Sequence, residues 1–197
     1  MVAKRMVAKR ILVCMTAILV AVCMCACRTT SGSEHDQIVR TAIDLSGTYV
    51  SQGRPEDALE VYDRALEEAD DYRLYFNKAL ILTSMSRNEE AAELCIDAFG
   101  KYPYILQFKK LQAYNSFIAG NVDAAEAAIQ ELLSLNPYDS ETRTQYIEEL
   151  MKGGLTEKAY EQALILWNQG FKDKQTVGYL YELKPDVWGN VYRQLNK

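Results

Sequence analysis

Five cysteines and one histidine are among the side chains of this sequence that could act as nucleophiles, redox groups or metal ligands. Three of the cysteines, Cys23, Cys25 and Cys27, alternate with other residues near the N-terminus. A cluster with this spacing could hold a metal or form a redox pair, or one of its thiols could be acylated. The segments on either side of the cluster indicate which chemistry applies.

Those segments favour processing followed by acylation. Four basic residues precede an apolar run over 11–26, and the sequence then turns polar. This order is typical of a secretory signal peptide. We therefore predict that residues 1–26 are removed, which leaves no folded metal cluster. The alternative is a retained membrane anchor, for which the run is short because a spanning helix needs roughly 20 residues.

The stretch Met24-Cys25-Ala26-Cys27 resembles the lipobox of bacterial lipoproteins, in which a small residue precedes the cysteine that receives the lipid. Ala26 makes Cys27 the predicted lipidation site. Met24 and Cys25 depart from the usual leucine and small residue, so Cys23 and Cys25 are the alternative sites. The resemblance implies a diacylated N-terminus that anchors the chain in the bacterial cell envelope, facing the periplasm.

The remaining polar residues do not form a catalytic constellation. Residues 27–37 are small and polar and predict a flexible tether, so the one histidine, His35, is expected to be incidental. Adjacent acids such as Glu67 and Glu68 do not face each other on a helix and indicate solvated surface. No phosphate-binding glycine loop occurs. We predict that the protein is not an enzyme and needs no cofactor or metal.

The charge balance excludes some partners. Without residues 1–26 the chain keeps 18 basic against 27 acidic residues, a net charge of about −9. Nucleic acid would require a basic face, and anionic lipid would be repelled, so the acyl chains must supply the membrane attachment. Cys95, the one cysteine in the body of the chain, is expected to be a small buried hydrophobic residue.

A repeat of about 34 residues organises the rest of the sequence. Small residues recur in pairs five apart, and apolar residues follow a helical period without strand-like alternation from residue 38 onward. A period of this length indicates an array of helical units. The pairs are Gly53 and Ala58, Ser86 and Ala91, Gly120 and Ala125, and Gly154 and Ala159.

On these residues the sequence resembles the tetratricopeptide repeat family of helix-turn-helix units. The resemblance implies an all-α solenoid over 38–197, with repeats at about 39–71, 72–105, 106–139 and 140–173. The residues at the helix crossings should be small because the helix axes lie only about 8–10 Å apart. They are Ser46, Ala79, Ala113 and Ile147 in the first helices, Ala58, Ala91, Ala125 and Ala159 in the second, and Ala65, Ala98, Leu132 and Leu166 seven positions later.

The first helix of the third repeat departs from the family pattern. Lys109, Gln112 and Ser116 stand where large apolar residues are usual, and apolar residues lie just beside them. We expect this helix to be rotated or shifted by one position.

The last segment, 174–197, contains two short amphipathic stretches. Solenoid ends need a cap with a polar outer face, and we predict that these stretches form a capping helix pair. The alternative is an exposed aromatic contact site made of Tyr179, Trp188 and Tyr192.

The family resemblance also implies a binding groove lined by the first helix of each repeat. An apolar centre with charged ends would suit a peptide or a helix of a partner. The predicted function is therefore an envelope scaffold that binds another envelope protein or peptide and is open to self-association. The alternative is an accessory protein that holds a small hydrophobic molecule for a transporter. The candidate groove residues are Arg73, Phe76, Leu80, Lys110, Tyr114 and Phe117.

Overall fold

The computed structural model describes residue 32 and residues 34–196, and this part of the chain contains helices and no strand. The predicted signal peptide and the candidate lipidation site Cys27 lie outside the described residues. The chain divides into unit 1 (Met1–Asn77) and unit 2 (Lys78–Lys197). Its helices are α1 (34–51), α2 (Pro55–Glu68), α3 (Tyr72–Ser84), α4 (Asn88–Lys101), α5 (Leu106–Ile118), α6 (Val122–Leu135), α7 (Ser140–Lys152), α8 (Thr156–Asn168), α9 (Lys174–Leu183) and α10 (Pro185–Leu195).

The all-α array with a C-terminal capping pair is confirmed as the fold class. The small residues predicted at the helix crossings are buried, and the second-helix alanines Ala58, Ala91, Ala125 and Ala159 are completely inaccessible. In unit 1, Ser46 of α1 is buried and donates a hydrogen bond to the carbonyl of Ala58 at 3.2 Å. Small side chains at these positions allow neighbouring helices to approach closely.

Residues with positive φ end the first helix of each pair. Gly53, Gly120 and Gly154 have φ of 73°, 83° and 73°, and Ser86 takes the equivalent position with φ of 60°. The next helix then starts on a side-chain cap at some of these turns. Asn121 accepts from the Ala124 N–H, so it satisfies one of the free donors at the start of α6.

In unit 2 each helix from α4 onward packs against the next helix. A polar contact joins α3 to α5: the completely buried Asn115 accepts from the Thr83 hydroxyl at 3.0 Å, while its amide donates to the Leu111 carbonyl. These bonds satisfy an amide that would otherwise be costly to bury.

The third repeat is not rotated or shifted, so that expectation was wrong. Four of the five buried positions of α7 recur one repeat earlier in α5, including polar Gln112 and Ser116. Lys109 is tolerated because its ammonium pairs with Glu131 at 2.9 Å and lies 4.5 Å from the ring centroid of Phe99. The buried residues of α5 are Phe108, Gln112, Ala113, Asn115 and Ser116, and those of α7 are Thr142, Arg143, Tyr146, Ile147 and Leu150.

The helix α1 includes residues 34–37, which the sequence predicts as part of the flexible tether. His35 and Asp36 make tertiary contacts near the start of this helix. The His35 Nε2 lies 3.1 Å from Asp71 Oδ2, and Asp36 accepts from Arg73 at 2.7 Å. His35 is therefore a structural residue, because its ring joins α1 to the segment before α3.

The C-terminal helices form a cap built on buried aromatic contacts. Trp188 is buried edge-on to Trp167, with ring centroids 4.9 Å apart, and its indole donates to the Tyr160 hydroxyl at 3.2 Å. Tyr192 instead stacks on Tyr181 at 4.3 Å. Because Trp188 belongs to the core, it cannot serve as an exposed contact residue.

Candidate protein-binding surface

In unit 1 the candidate residue Arg73 is held by two carboxylates. Its Nε and Nη2 atoms donate to Asp71 at 2.8 Å each, and Nη2 also donates to Asp36 at 2.7 Å. The Arg73 hydrogen bonds and its charge keep the pKa of Asp71 well below its ordinary value. An anionic ligand would have to compete with both carboxylates for this guanidinium. Phe76, the other candidate in unit 1, is partly exposed.

In unit 2 three candidate residues share one face of α5. Lys110, Tyr114 and Phe117 are spaced four and three positions apart, which places them on one side of a helix. Tyr114 is 44% exposed, and the candidate Leu80 of α3 is exposed to a similar degree. Exposed apolar side chains of this kind are available to a partner.

The other two residues of this face are engaged inside the protein. The Lys110 ammonium lies 2.9 Å from Glu141 and 3.6 Å from Asp139. Burial opposes the charge of Lys110, but these two carboxylates outweigh it and raise the pKa of the ammonium. Phe117 is partly buried and packs against the core of unit 2. Tyr114 is therefore the aromatic residue of α5 that is most available for binding.

A groove of about 370 Å³ lies in unit 2 between α7 and the segment around the start of α9. Glu148 in this groove accepts from the Tyr179 hydroxyl at 2.5 Å, and Gln175 donates to the same hydroxyl at 2.8 Å. Burial and the neighbouring Glu148 carboxylate raise the pKa of Tyr179 to about 12. The Tyr179 hydroxyl is thus held by two residues of the groove while its ring packs partly buried against the core, which differs from the exposed aromatic site considered from sequence.

The buried Arg143 was missed by sequence reasoning. Its guanidinium donates to Gln162 at 2.5 Å and to the Pro137 carbonyl at 3.2 Å, while its Nε has no partner in the described part of the chain. Burial lowers the pKa of Arg143. The signal available in the sequence was its position one repeat after Lys109, since both cations occupy the same place in their repeats.

The described residues offer no evident reactive centre. No group of three or more His, Cys, Asp or Glu side chains within residues 34–196 is arranged to hold a metal ion. Cys95 is completely buried, and burial raises the pKa of its thiol to about 12. A thiol with this pKa is almost entirely protonated at neutral pH and is a poor nucleophile.

Over the same residues, no helix has the length and apolar character required to cross a bilayer.

Comparison with known proteins identifies the repeat. Residues 44–104 match the family model described as tetratricopeptide repeat. This segment of the chain therefore carries tetratricopeptide repeats. No curated protein matches its sequence significantly.

Several solved structures share the fold of this chain. A tetratricopeptide repeat protein from Parabacteroides merdae superposes with a TM-score of 0.61 at 16% identity, covering 76% of this chain and 61% of its own. MamA from Desulfovibrio magneticus gives 0.59 at 12% identity, covering 81% and 89%. YrrB, described as having an unusual peptide-binding site, gives 0.52 at 17% identity, covering 78% and 91%. At these identities the likeness concerns the fold alone.

The family sets the general class of function. Tetratricopeptide repeat proteins generally act as scaffolds for interactions between proteins and do not catalyse reactions. The repeats of this chain therefore suggest a scaffold for interactions between proteins.

Proposed function

We propose that this protein is a lipoprotein of the bacterial cell envelope, anchored through Cys27, whose helical array binds another envelope protein. The proposed binding residues are Leu80, Lys110, Tyr114 and Phe117 in unit 2, and Arg73 and Phe76 in unit 1. The observation that carries the scaffold part is the exposed aromatic side chain of Tyr114 on a helix whose opposite face is buried. An exposed tyrosine offers a partner a large contact area at small entropic cost.

The anchor part rests on the sequence alone. The basic, apolar and polar segments follow in the order of a signal peptide, and Ala26 precedes Cys27 as the lipobox requires. Mass spectrometry of the mature N-terminus tests the anchor. We expect a chain that begins at Cys27 and carries acyl groups, and that loses them in the Cys27→Ala variant. A chain that starts at Met1 or Met6 would contradict the proposal.

The binding residues are tested by recovery of partners from envelope extracts. The double variant Phe76→Ala/Tyr114→Ala should lose the partner that the unmodified protein recovers. Tyr104→Ala is the matched control, because Tyr104 is also exposed but is not among the proposed binding residues. Circular dichroism must show equal helix content in all three proteins. If the double variant recovers the same partners as the control, the binding residues are wrongly assigned, whatever the N-terminus proves to be.

A further inference from the structure

The α7–α9 groove, the opening of about 370 Å³ between α7 and the start of α9, combines apolar surface with acidic walls. Leu166 in this groove is only 1% exposed, while Phe171 is partly buried and packs against the core of unit 2. The acids of the walls are Glu141, Glu148 and Asp173. The groove therefore suits a side chain that has an apolar stem and a polar head.

The negative charge of these walls is only partly compensated. Neither Lys nor Arg is among the described residues that line the groove. Glu141 pairs with Lys110 at 2.9 Å, but Glu148 and Asp173 make no ion pair with another described residue. A partner that carries a cation would complement the groove.

Three lysines near the groove leave this charge in place. Lys152 pairs with Glu149 at 2.7 Å and interacts with Glu148 only at longer range. Lys172 and Lys174, around the start of α9, are exposed and make no ion pair with another described residue. The carboxylates of the groove are thus available to an external cation.

Two acceptors in the groove have no partner. Glu148 Oε1 accepts from the Tyr179 hydroxyl at 2.5 Å, which holds the carboxylate in place, whereas Oε2 accepts no hydrogen bond from a described residue. Thr176, also in the lining, is only 3% exposed, yet its hydroxyl makes no hydrogen bond with any described residue. A buried polar group without a partner is costly, so these atoms point to a ligand that donates hydrogen bonds.

We propose that the α7–α9 groove receives a lysine or arginine side chain of the protein or peptide that binds the α5 face, an inference that rests on the proposed function. The aliphatic stem of that side chain packs on Phe171, and its cationic head donates to Glu148 Oε2 and to the Thr176 hydroxyl. Hydrogen bonds between a cationic donor and a carboxylate are about twice as strong as those between neutral groups. The groove therefore selects partners that carry a cation.

The position of the groove relative to Tyr114 sets a spacing in the partner. Glu148 follows Tyr114 by 34 residues, one repeat, and α5 contacts α7. Neighbouring helix axes lie about 8–10 Å apart, and an extended peptide advances about 3.3 Å per residue. The partner segment should therefore present an apolar residue to Tyr114 and a cation to the groove about three positions away.

Selection of random peptides displayed on phage, with the full chain in detergent as the target, tests this spacing. The unmodified protein should enrich peptides in which Lys or Arg follows or precedes an apolar residue at about three positions. Glu148→Gln should lose the preference for the cation and keep the preference for the apolar residue. Tyr114→Ala should show the reverse.

The affinity of one selected peptide, measured by fluorescence anisotropy, then locates the cation. Glu148→Gln should weaken binding roughly tenfold, because the variant keeps an acceptor for Tyr179 and loses the charge. Asp173→Asn should weaken it less. Glu93→Gln makes the same change at an exposed residue of α4 outside the groove lining and should bind like the unmodified protein. Citrulline for the peptide's arginine, or acetyl-lysine for its lysine, should remove the difference between Glu148→Gln and the unmodified protein.

The possible failures are distinguishable. If no peptide is enriched, the binding surface of the proposed function is wrong and this inference falls with it. If peptides are enriched without a cation, the proposed surface stands and the role of the groove is wrong. A preference for the cation that persists in both Glu148→Gln and Asp173→Asn would also overturn the inference, because the cation would then bind outside the groove.

Discussion

Phe117 packs over Gly153, and a Cβ atom added to Gly153 would lie 3.2 Å from Cε1 of Phe117. The backbone of Gly153 has a φ of −76°, which any residue can adopt, so the contact with the ring is what favours glycine here. Phe117 lies in the last turn of α5, in the third repeat, and Gly153 follows the end of α7, in the fourth repeat. The side chain therefore contributes to the packing between the third and fourth repeats as well as to the proposed binding surface.

Gly153→Ala should lower the free energy of unfolding by about 1 kcal/mol, because the added methyl group crowds the Phe117 ring. Urea denaturation of the full chain measures this change. In a Phe117→Ala background the ring is gone, and the same substitution should then cost almost nothing. An equal penalty in both backgrounds would show that the Phe117 contact is not its cause.

Ser86 and Gly120 test the role of the left-handed turn. Ser86→Gly should stabilise the protein by a few tenths of a kcal/mol, because relief of about 1–2 kcal/mol of strain exceeds the roughly 0.4–1 kcal/mol lost to a more flexible unfolded chain. Gly120→Ala should destabilise it by about 1 kcal/mol for the converse reason. Thermal denaturation should show melting temperatures that move in opposite directions. A shift of both melting temperatures in the same direction would contradict the left-handed backbone conformation of these two residues.

Asp71 should make the stability of unit 1 depend on acidity. Its pKa is depressed in the folded state by Arg73, with a smaller contribution from His35, so the unfolded chain takes up a proton first as the pH falls. The stabilisation is present at neutral pH and is lost below about pH 4, the ordinary range of an Asp carboxyl. Asp71→Asn should remove much of this dependence and about 1–3 kcal/mol of stability at pH 7.

Hydrogen exchange of the α1 amides is the most direct measurement for Asp71, because the carboxylate holds the start of that helix through Arg73 and His35. Protection of α1 should fall in Asp71→Asn at pH 7 and in the unmodified protein at low pH. Asp44→Asn, which changes an exposed carboxylate of α1, is the control. Equal protection in the two variants would exclude a special role for Asp71.

Arg143 should be replaceable by an apolar residue of similar length. Arg143→Met should leave the free energy of unfolding unchanged or raise it by about 1 kcal/mol, because the buried charge has only neutral hydrogen-bond partners. Arg143→Ala should instead lower it by about 2–3 kcal/mol through the cavity it leaves. Denaturation in guanidinium chloride measures the free energy of unfolding of the two variants and distinguishes these outcomes. A large loss in Arg143→Met would mean that the guanidinium hydrogen bonds dominate.

The helix pairs could be predicted from sequence because their signals are local and repeated. Small residues such as Ala91 and Ala125 lie at the helix crossings, and glycines such as Gly120 lie at the turns that precede them. Each signal involves neighbours within one or two turns of a helix, and every repeat presents it again. The same reasoning does not find contacts whose two members are far apart in the chain.

The position at which α1 starts and the exposure of the candidate binding residues depend on such distant contacts. His35 meets Asp71 and Asp36 meets Arg73 across more than a full repeat of sequence, and nothing near His35 in the sequence indicates this.

For the same reason the sequence could not distinguish Tyr114, which stays exposed, from Phe117, which packs against the next repeat. Lys109 looked like a departure from the pattern because its carboxylate partner lies on another helix. Arg143 could not be recognised as buried because its hydrogen-bond partner Gln162 also lies on another helix. A side chain's exposure is therefore decided by the neighbouring repeat as much as by its own helix.

The four buried positions that α5 and α7 share bear on how this protein could change its length. Four of the five positions that α5 buries are buried again in α7 one repeat later, so a join made at the start of either helix meets a similar set of inward positions. Excising residues 106–139 would bring α7 to the place of α5 with its inward positions still in register. Evolution could therefore shorten or lengthen this scaffold by whole repeats, adjusting its reach without rebuilding its interior.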